Sequence, residues 1–438
     1  MEEKDQVKTT AVKGTDMARK VRGLVKKLYQ TAHEAKAQGK KVAYMMVNSQ
    51  YDEIIRAMDI VPLSTENYAG LCAAKRDMNR FLLKAEEDGY SQVLCSYARI
   101  GLGFDSMRKE LGGIPEGAPD GGMPMPDMML GSSAVCDPRF KWFEATRRFL
   151  DIPTYNIDVL WPPVDTNLNA VRDHYITYQK EQLQGLIAFL EAQTGRKLDK
   201  ERLWEAIRLS DEAWRIWYEI DRMRVAIPSP MPSQDHFSIM VAGYYYPGMQ
   251  EAVDFYQGLY DEVKYKVDNK IGVIPNEKYR ILYGGGLPPW HTLWIFNYFE
   301  SFGAVFAIES QYRAYDPVEV PSHVKDPVEF LAWRTFLRFT QLHAQAKANS
   351  GNPYVERLLG MINDYKIDGV VFHACRSCRA NTIGQVHRKH ILSRYTDIPM
   401  MQLVSDMVDL RDYSEAQWKA QIGAFMEALA GRTKIAAN

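Results

Sequence analysis

Short apolar runs alternate with helix-like segments in the first part of the chain. Apolar residues at helical spacing before Gly39 predict an N-terminal helical segment over residues 1–38. After it, the runs of strand length are KKVAYMMVN, SQVLCSY (91–97), PDMMLGSS (126–133) and PTYNID (153–158). Because helix-like segments separate these runs, the pattern predicts a parallel sheet with right-handed crossovers, and therefore a first α/β lobe over residues 39–165.

The pattern changes in the middle of the chain and then returns. Over residues 166–270 the apolar spacing is helical and strand signals vanish, which predicts a helical region. The later strand-like runs are YRILYGGG, AVFAIE, DGVVFHA and IPMMQLV. They predict a second α/β lobe with a C-terminal helix over residues 271–438. The predicted fold class is therefore α/β, with two Rossmann-like or flavodoxin-like parallel-sheet lobes, a helical insert and an N-terminal helix.

Composition narrows the function by excluding some partners. The chain has 54 basic and 55 acidic residues among 438, so its formal net charge is -1. Nucleic-acid binding depends on concentrated Lys and Arg, and this balance argues against a nucleic acid as the main partner. The sequence also lacks an apolar run long enough for a signal peptide or a membrane span, so we expect a cytoplasmic protein without a membrane partner.

Four of the five cysteines follow strand-like runs. Cys95 ends the run SQVLC, Cys136 follows PDMMLGSS, and the pair Cys375 and Cys378 follows DGVVFH. In open parallel sheets, ligands bind beyond the carboxyl ends of the strands, where the connecting loops converge. The sequence therefore predicts that these thiols lie at the ligand-binding edges of the two lobes.

The spacing of the cysteines leaves their chemistry open. The C-x-x-C pair at 375–378 is compatible with a redox dithiol, with half of a zinc site, or with cysteines that bind no metal. A cluster held by scattered thiolates from several strand ends fits the remaining positions better. Four neighbouring groups are expected to lower the thiol pKa values, and they are also candidates to bind a ligand phosphate: Arg376, Arg379, His373 and His387.

Several cysteine-centred motifs resemble those of one known family. The segments ENYAGLCAAKRDMNRFL, LCSYARIGLG, PDMMLGSSAVCDPRFKWFE and FHACRSCRANTIGQ are similar, in this order, to motifs of the 2-hydroxyacyl-CoA dehydratase and benzoyl-CoA reductase superfamily. The resemblance spans about residues 40–410. Within the superfamily, the chain is most similar to the larger, B-type of the two cluster-bearing subunits of ATP-dependent class I benzoyl-CoA reductases.

The resemblance implies a cofactor and partners. In that superfamily, two similar subunits each carry a four-iron four-sulfur cluster on three cysteines, and the acyl-CoA binds between them. Separate ATP-hydrolysing subunits supply single low-potential electrons, and this sequence itself contains no P-loop pattern. The family's cluster ligands match Cys95, Cys136 and Cys378, whereas Cys375 is an extra thiol that is a neighbour, a substitute metal ligand or a structural group.

The resemblance also implies proton donors close to the cluster. Glu66, His291 and His373 lie beside the family motifs, and we expect them to be catalytic, with Tyr68 as a further candidate. For each of them a capping or structural role is also open. Trp290 is a candidate for the wall of the acyl pocket.

The leading functional hypothesis is a subunit of a benzoyl-CoA reductase that dearomatises benzoyl-CoA or a substituted analogue. The first alternative is a subunit of a 2-hydroxyacyl-CoA dehydratase, which recycles one electron. An alternative of another class is a non-catalytic scaffold or activator of a cluster protein.

Overall fold

The computed structural model of this chain describes residues 11–345 and 350–436, and it confirms the predicted α/β class. Its strands form two four-stranded, fully parallel sheets. Among the described residues, none of the helices combines the length and the apolar character needed to cross a lipid bilayer.

The first sheet has the strand order β2-β1-β3-β4. Its strands are β1 (Val42–Met45), β2 (Val61–Ser64), β3 (Met128–Ser132) and β4 (Thr154–Ile157). The helices connecting them are α2 (Asp52–Ala57), α3 (Thr65–Ala74), α4 (Asn79–Glu87), α5 (Ser96–Leu111) and α6 (Asp137–Thr146). β1 and β3 are buried on both faces, which explains why their sequences are apolar without alternation.

Two details of the first lobe differ from the sequence-based prediction. The predicted strand at 91–97 is wrong: Ser91 to Leu94 form an exposed turn, and helix α5 begins at Ser96. The apolar pair Val93 and Leu94 is too short to define a strand, and both side chains are exposed. The strand β2 was not predicted, because it has only four residues and contains Pro62, which is tolerated since β2 is an edge strand.

The middle of the chain is helical. It contains α7 (Leu168–Thr194), α8 (Lys200–Met223), α9 (Ser233–Tyr245) and α10 (Gln250–Asp268). The N-terminal helix α1 (Asp16–Ala37) shares one apolar core with α8, α9 and α10. Its start is fixed by buried Asp235, whose carboxylate accepts hydrogen bonds from the backbone N–H groups of Gly14 and Thr15 at 3.0 and 2.7 Å. These bonds satisfy backbone donors that would otherwise be buried without partners.

The second sheet has the equivalent order β6-β5-β7-β8. Its strands are β5 (Tyr279–Gly285), β6 (Ala304–Glu309), β7 (Gly369–Cys375) and β8 (Met400–Ser405). The accompanying helices are α11 (Ile295–Glu300), α12 (Pro327–Gln345), α13 (Pro353–Asp364), α14 (Arg379–Thr382), α15 (Gln385–Leu392) and α16 (Glu415–Ala436). One face of the sheet packs on α11 and α16, and the other packs on α13 and α15. The later helix α12 instead packs against the first sheet and α7.

The glycine-rich turn after β5 lies close to the neighbouring strand β7. Gly286 has φ +95°, and a Cβ atom at this position would lie 1.8 Å from the carbonyl oxygen of His373 on β7. Only glycine therefore allows this close backbone approach at the carboxyl edge of the second sheet.

Candidate functional site

Three cysteines occupy the same kind of position in three different segments. Cys95, Cys136 and Cys378 are the residues immediately before helices α5, α6 and α14, respectively. The first two belong to the first lobe and the third belongs to the second lobe. A helix N-terminus presents free N–H groups and positive electrostatic potential, which favour a negatively charged group.

The structure brings these three cysteines to one cavity of about 150 Å³. The cavity lies at the junction of the two lobes, and its other lining residues include Glu66, Arg139, Trp142, Tyr97, Tyr312, Leu287 and Met407. Thiols, one carboxylate and one guanidinium thus face a mostly apolar space. Two lining residues, Asn48 and Tyr312, have φ values of +55° and +56°, which are uncommon for residues with a side chain and are held by the surrounding packing.

Burial controls the titration of these thiols. It raises the pKa of Cys136 to about 12, against the opposing effect of Arg139, and it raises the pKa values of Cys95 and Cys378. The expectation that Arg376, Arg379, His373 and His387 lower the thiol pKa values is therefore wrong, because desolvation is the largest effect on each thiol and raises its pKa. The backbone N–H groups of Ala98, Arg139 and Asn381, each three residues after a cysteine, lower the pKa of the respective thiol.

The other two cysteines lie elsewhere. Cys375 is the last residue of β7 and is fully buried, and its thiol donates a hydrogen bond to the carbonyl oxygen of Leu287 at 3.3 Å. It is not among the described residues that line the cysteine cavity. Cys72 is buried within α3 in the apolar core of the first lobe.

Glu66 faces the cysteine cavity from the first turn of α3. Its Oε2 atom accepts a hydrogen bond from the backbone N–H of Val47 at 2.7 Å and lies 3.4 Å from Nη2 of Arg139. The carboxylate is therefore held in place by one neutral and one charged donor. Tyr68, two residues further along, is instead buried in the core, where its ring packs edge-on against Tyr29 and Phe104.

The two candidate histidines are buried beside the cavity rather than in its wall. His291 hydrogen-bonds through Nε2 to the carbonyl oxygen of Asp406 at 2.9 Å. His373 on β7 hydrogen-bonds through Nδ1 to the carbonyl oxygen of Leu287, and through Nε2 to the hydroxyl of Ser405 at 2.8 Å. Burial lowers the pKa of each histidine to about 4, so both rings are neutral at pH 7.

A second cavity, of about 180 Å³, adjoins the cysteine cavity. The two share Val47, Glu66, Tyr97 and Tyr312 as lining residues. The rest of its wall is largely apolar and comes from helices α1, α3 and α9 and from the segment after β5: Val21, Val25, Leu71, Phe237, Met240, Val241, Trp290 and Leu293. Trp290, the candidate for the wall of an acyl pocket, lines this cavity, and its Nε1–H donates a hydrogen bond to the hydroxyl of Tyr97.

One buried carboxylate connects the cysteine segments of the two lobes. Asp406 follows β8 and accepts hydrogen bonds from the hydroxyls of Ser96 and Ser377, which directly follow Cys95 and precede Cys378. The Asp406 carboxylate also accepts from the backbone N–H groups of Val408 and Asp409 at 3.0 and 3.1 Å. A further bond joins the backbone N–H of Ser96 to the hydroxyl of Ser377 at 3.1 Å. The network fixes the separation of two thiols that lie on different lobes.

Another buried cluster has groups at metal-binding distances. Asp221, His236 and Glu309 place their ligand atoms within 4.8 Å of one another. The guanidinium of Arg224 donates two hydrogen bonds of 2.7 Å to Glu309 and one of 3.2 Å to Asp221. Because Arg224 pairs with both carboxylates and Arg313 lies 3.5 Å from Asp221, the cluster is a structural ion-pair network.

Sequence reasoning did not find Tyr97, Arg139, Tyr312 and Asp406. Tyr97 and Arg139 each lie within four residues of a cavity cysteine, which is the only sequence signal they carry. Tyr312 and Asp406 come from loops after β6 and β8, and their roles depend on how those loops fold.

Comparisons with known proteins connect this site to one family. Residues 50–429 match the family model described as 2-hydroxyglutaryl-CoA dehydratase, D-component. The chain is 28% identical to the (R)-2-hydroxyisocaproyl-CoA dehydratase alpha subunit of Clostridioides difficile, over 95% of this chain and 96% of that protein. It is 28% identical to the (R)-phenyllactyl-CoA dehydratase alpha subunit of Clostridium sporogenes, over 92% of each. It is 26% identical to the B-type subunit of benzoyl-CoA reductase from Thauera aromatica, over 91% of each.

Replacing Asp406 by Ala is expected to destabilise the protein by about 3 kcal/mol or more, because it leaves two hydroxyls and the backbone N–H groups of Ser377, Val408 and Asp409 without their acceptor. Equilibrium urea unfolding under anaerobic conditions measures this loss. The control is Asp173→Ala on the exposed face of α7, which should change the free energy of unfolding by less than about 0.5 kcal/mol. An equally small effect of Asp406→Ala would show that the network does not hold the lobes together.

Burial of His291 predicts a loss of stability in mild acid. Its pKa of about 4 in the folded state lies below the ordinary value of 6.5, so the unfolded chain binds a proton first. The stability that the neutral His291 ring contributes falls as the pH decreases from about 6.5 towards 4, and the loss reaches about 2 kcal/mol at pH 5. The free energy of unfolding, plotted against pH across this range, should therefore give a flatter curve for His291→Asn than for the wild type. The exposed control His174→Asn should give the curve of the wild type. Coinciding curves for His291→Asn and the wild type would refute the assignment.

Proposed function

Because this chain belongs to the 2-hydroxyglutaryl-CoA dehydratase D-component family, we propose that it is the cluster-bearing, acyl-CoA-binding subunit of a benzoyl-CoA reductase. The reaction adds two electrons and two protons to the aromatic ring of benzoyl-CoA or a substituted analogue and yields a cyclic dienoyl-CoA. The proposed partners in the cytoplasm are a homologous cluster-bearing subunit and ATP-hydrolysing subunits that activate the electrons.

The observation that carries this proposal is the pair of adjoining cavities. One is lined by Cys95, Cys136 and Cys378, and the other is apolar and shares Glu66 and Tyr312 with the first. The two parts of an acyl thioester match these two cavities. Its reactive carbonyl must lie beside the redox centre, and its acyl group needs an apolar environment.

The donor set of the first cavity suits an iron-sulfur cluster. Three thiols would hold the cluster, each at the N-terminal end of a helix whose free N–H groups favour the negative charge of the bound thiolates. When bound, a four-iron four-sulfur cluster supplies electrons at low potential. Cys375, buried behind this cavity with its own acceptor, is proposed to be a structural neighbour rather than a ligand.

The second cavity is suited to an uncharged acyl group. Among the described residues that line it, Glu66 is the only charged one. The cation beside it, Arg139, already pairs with Glu66, so the carboxylate of a charged acyl group would be buried without a cation of its own, which is costly. An aromatic or branched aliphatic group would instead pack against side chains such as Phe237, Leu293 and Trp290, and would exclude water from the reaction.

The side chains shared by the two cavities are placed to stabilise negative charge on the substrate and to transfer protons. Burial raises the pKa values of Tyr97 and Tyr312 far above 10, so both hydroxyls keep their protons and are available as hydrogen-bond donors at neutral pH. Such donors stabilise the negative charge that an added electron places on the thioester. Glu66, held by Val47 and Arg139, is proposed to transfer protons between substrate and solvent.

His291 and His373 are assigned an indirect part in this proposal. Both are neutral at pH 7, and both hydrogen-bond to the backbone of segments that flank the cysteine cavity, at Asp406 and Leu287. They are proposed to position these segments.

A second candidate is the redox-neutral loss of water from a 2-hydroxyacyl-CoA. It is favoured by the similarity to two dehydratase alpha subunits, whose named substrates carry apolar acyl groups. The same two cavities would serve this reaction, in which an electron is returned after each turnover.

The ligand assignment predicts the iron content of single variants. Purified anaerobically with its co-expressed partners, each of Cys95→Ser, Cys136→Ser and Cys378→Ser should lose most of its iron and its visible absorption, because a three-thiolate site does not survive the loss of one ligand. The matched control is Cys375→Ser, which should retain both. Equal iron retention in all four variants would overturn the assignment.

The two reactions differ in their electron balance, which a turnover assay measures. With ATP and the activating subunits, benzoyl-CoA should be consumed with two reducing equivalents for each dienoyl-CoA formed. Redox-neutral water loss from an apolar 2-hydroxyacyl-CoA, without turnover of benzoyl-CoA, would instead establish the second candidate. A complex without iron or without affinity for CoA would favour a non-catalytic scaffold.

A further inference from the structure

A third cavity, of about 270 Å³, lies beyond the carboxyl ends of β5 and β6. Its wall includes Ser310 to Asp316, which follow β6, together with residues of α12, α13 and α15. It opens to the surface between Trp161 and Tyr354, which are 43% and 46% exposed. In parallel α/β folds this edge of the sheet is where ligands bind.

The charge of this cavity is strongly positive. Its described lining contains four arginines and one carboxylate: Arg313, Arg338, Arg357, Arg388 and Asp316. This is a local concentration, because the whole chain has a net charge of -1. Arginine presents a planar set of N–H donors that matches phosphate oxygens, so the lining is suited to a phosphorylated ligand.

These cations have fewer acidic partners than their burial requires. Arg338 is paired with Asp211 at 3.1 Å, and Arg313 lies 3.5 Å from Asp221, yet the buried Nη1 atom of Arg313 has no hydrogen-bond partner. Among the described residues, Arg357 and Arg388 form no ion pair. Within the part of the chain that the structure describes, the hydrogen bonds of Arg388 go to the carbonyl oxygens of Gly384 and Asn381.

The electrostatic effect of the arginines on one another also favours an anion in this cavity. Burial, and then the neighbouring charge of Arg313, lower the pKa of Arg357. A bound anion would relieve both effects, because it restores the hydrogen bonds lost to water and separates the two positive charges.

The basic cavity adjoins the cysteine cavity. Both are lined by Asn48, Val135, Tyr244, Gln311 and Tyr312. The three cavities therefore follow one another as a basic, a thiol-lined and an apolar compartment. At the mouth of the basic one, the ring of Trp161 stacks on Phe339 with centroids 4.0 Å apart and is otherwise partly exposed, as a surface for a purine base would be.

We propose that the basic cavity binds the phosphorylated nucleotide end of the acyl-CoA, with Arg313, Arg357 and Arg388 as the phosphate contacts. The substrate then runs from its phosphates, past Tyr312, to a thioester beside the cysteines and an acyl group in the apolar cavity. This inference rests on the proposed function for the identity of the ligand, whereas the cavity and its charge are properties of the chain itself.

The test compares a substrate analogue that has the phosphates with one that lacks them. Benzoyl-CoA and S-benzoylpantetheine are titrated calorimetrically into the anaerobically purified complex of wild type, Arg357→Gln and Arg388→Gln. Each variant should bind benzoyl-CoA at least tenfold more weakly and S-benzoylpantetheine with unchanged affinity, because only the first ligand reaches the arginines. Arg208→Gln, on the exposed face of α8, is the matched control and should leave both affinities unchanged.

Unchanged affinity for benzoyl-CoA in Arg357→Gln and Arg388→Gln would overturn the proposal, and so would an equal loss for both ligands. ATP distinguishes another source of the same phosphates: arginine-dependent binding of ATP without arginine-dependent binding of benzoyl-CoA would also overturn it. Arg388→Lys, which keeps the charge, should recover part of the affinity.

A measurement on the wild type keeps the proposal falsifiable if a variant folds poorly. Benzoyl-CoA should slow hydrogen exchange in residues 310–316 and 354–358 more than S-benzoylpantetheine does, and equal protection would overturn the phosphate assignment. Binding does not require turnover. If the complex does not catalyse the proposed reaction but still binds benzoyl-CoA through the arginines, the proposed function is wrong and the phosphate site stands. If the complex catalyses the proposed reaction but its affinity for benzoyl-CoA does not depend on the arginines, only the phosphate-site proposal is wrong.

Discussion

The buried carboxylate of Asp406 is the contact on which the geometry of the candidate site depends. It accepts hydrogen bonds from Ser96 in the first lobe and from Ser377 in the second, and each serine is a direct neighbour of a cavity cysteine. A buried carboxylate is stable only when its hydrogen-bonding capacity is used, so the two segments cannot separate without a large cost. The distance between Cys95 and Cys378 is thereby fixed by the fold before any ligand binds.

Around this connection, ion pairs near the surface reinforce the contact between the lobes. The buried side chain of Arg99, on α5, lies between Glu86 of the first lobe and Asp409 of the second, at 2.8 and 3.1 Å. Arg411 bridges the same two carboxylates. With Asp406 they form a continuous polar interface at one side of the cysteine cavity.

Electrostatics then divides the space between the lobes into three compartments. Among the described residues, Arg357 and Arg388 form no ion pair, which makes the basic cavity attractive to anions, while the lining of the apolar cavity has one carboxylate, that of Glu66, and is otherwise uncharged. Between them, burial keeps the thiols of Cys95, Cys136 and Cys378 protonated unless a cation compensates the charge of their thiolates. The proposed ligand, charged at one end and apolar at the other with a thioester between them, matches this order of compartments.

The sequence by itself determined the α/β class, seven of the eight strands in the described residues, the helical region and the family. These features depend on local periodicity and on short motifs, which can be recognised in the sequence without knowing which distant residues are in contact. It also indicated the cysteines that line the cavity, although the reason was incomplete: Cys95 precedes a helix and does not end a strand. Only the tertiary structure separated Cys375 from the three cavity thiols, placed His291 and His373 behind the cavity wall, and revealed the Asp406 network and the arginine cavity. Each of these depends on which loops converge between two sheets and how much water they exclude, and burial and distance across hundreds of residues are not encoded in any local pattern.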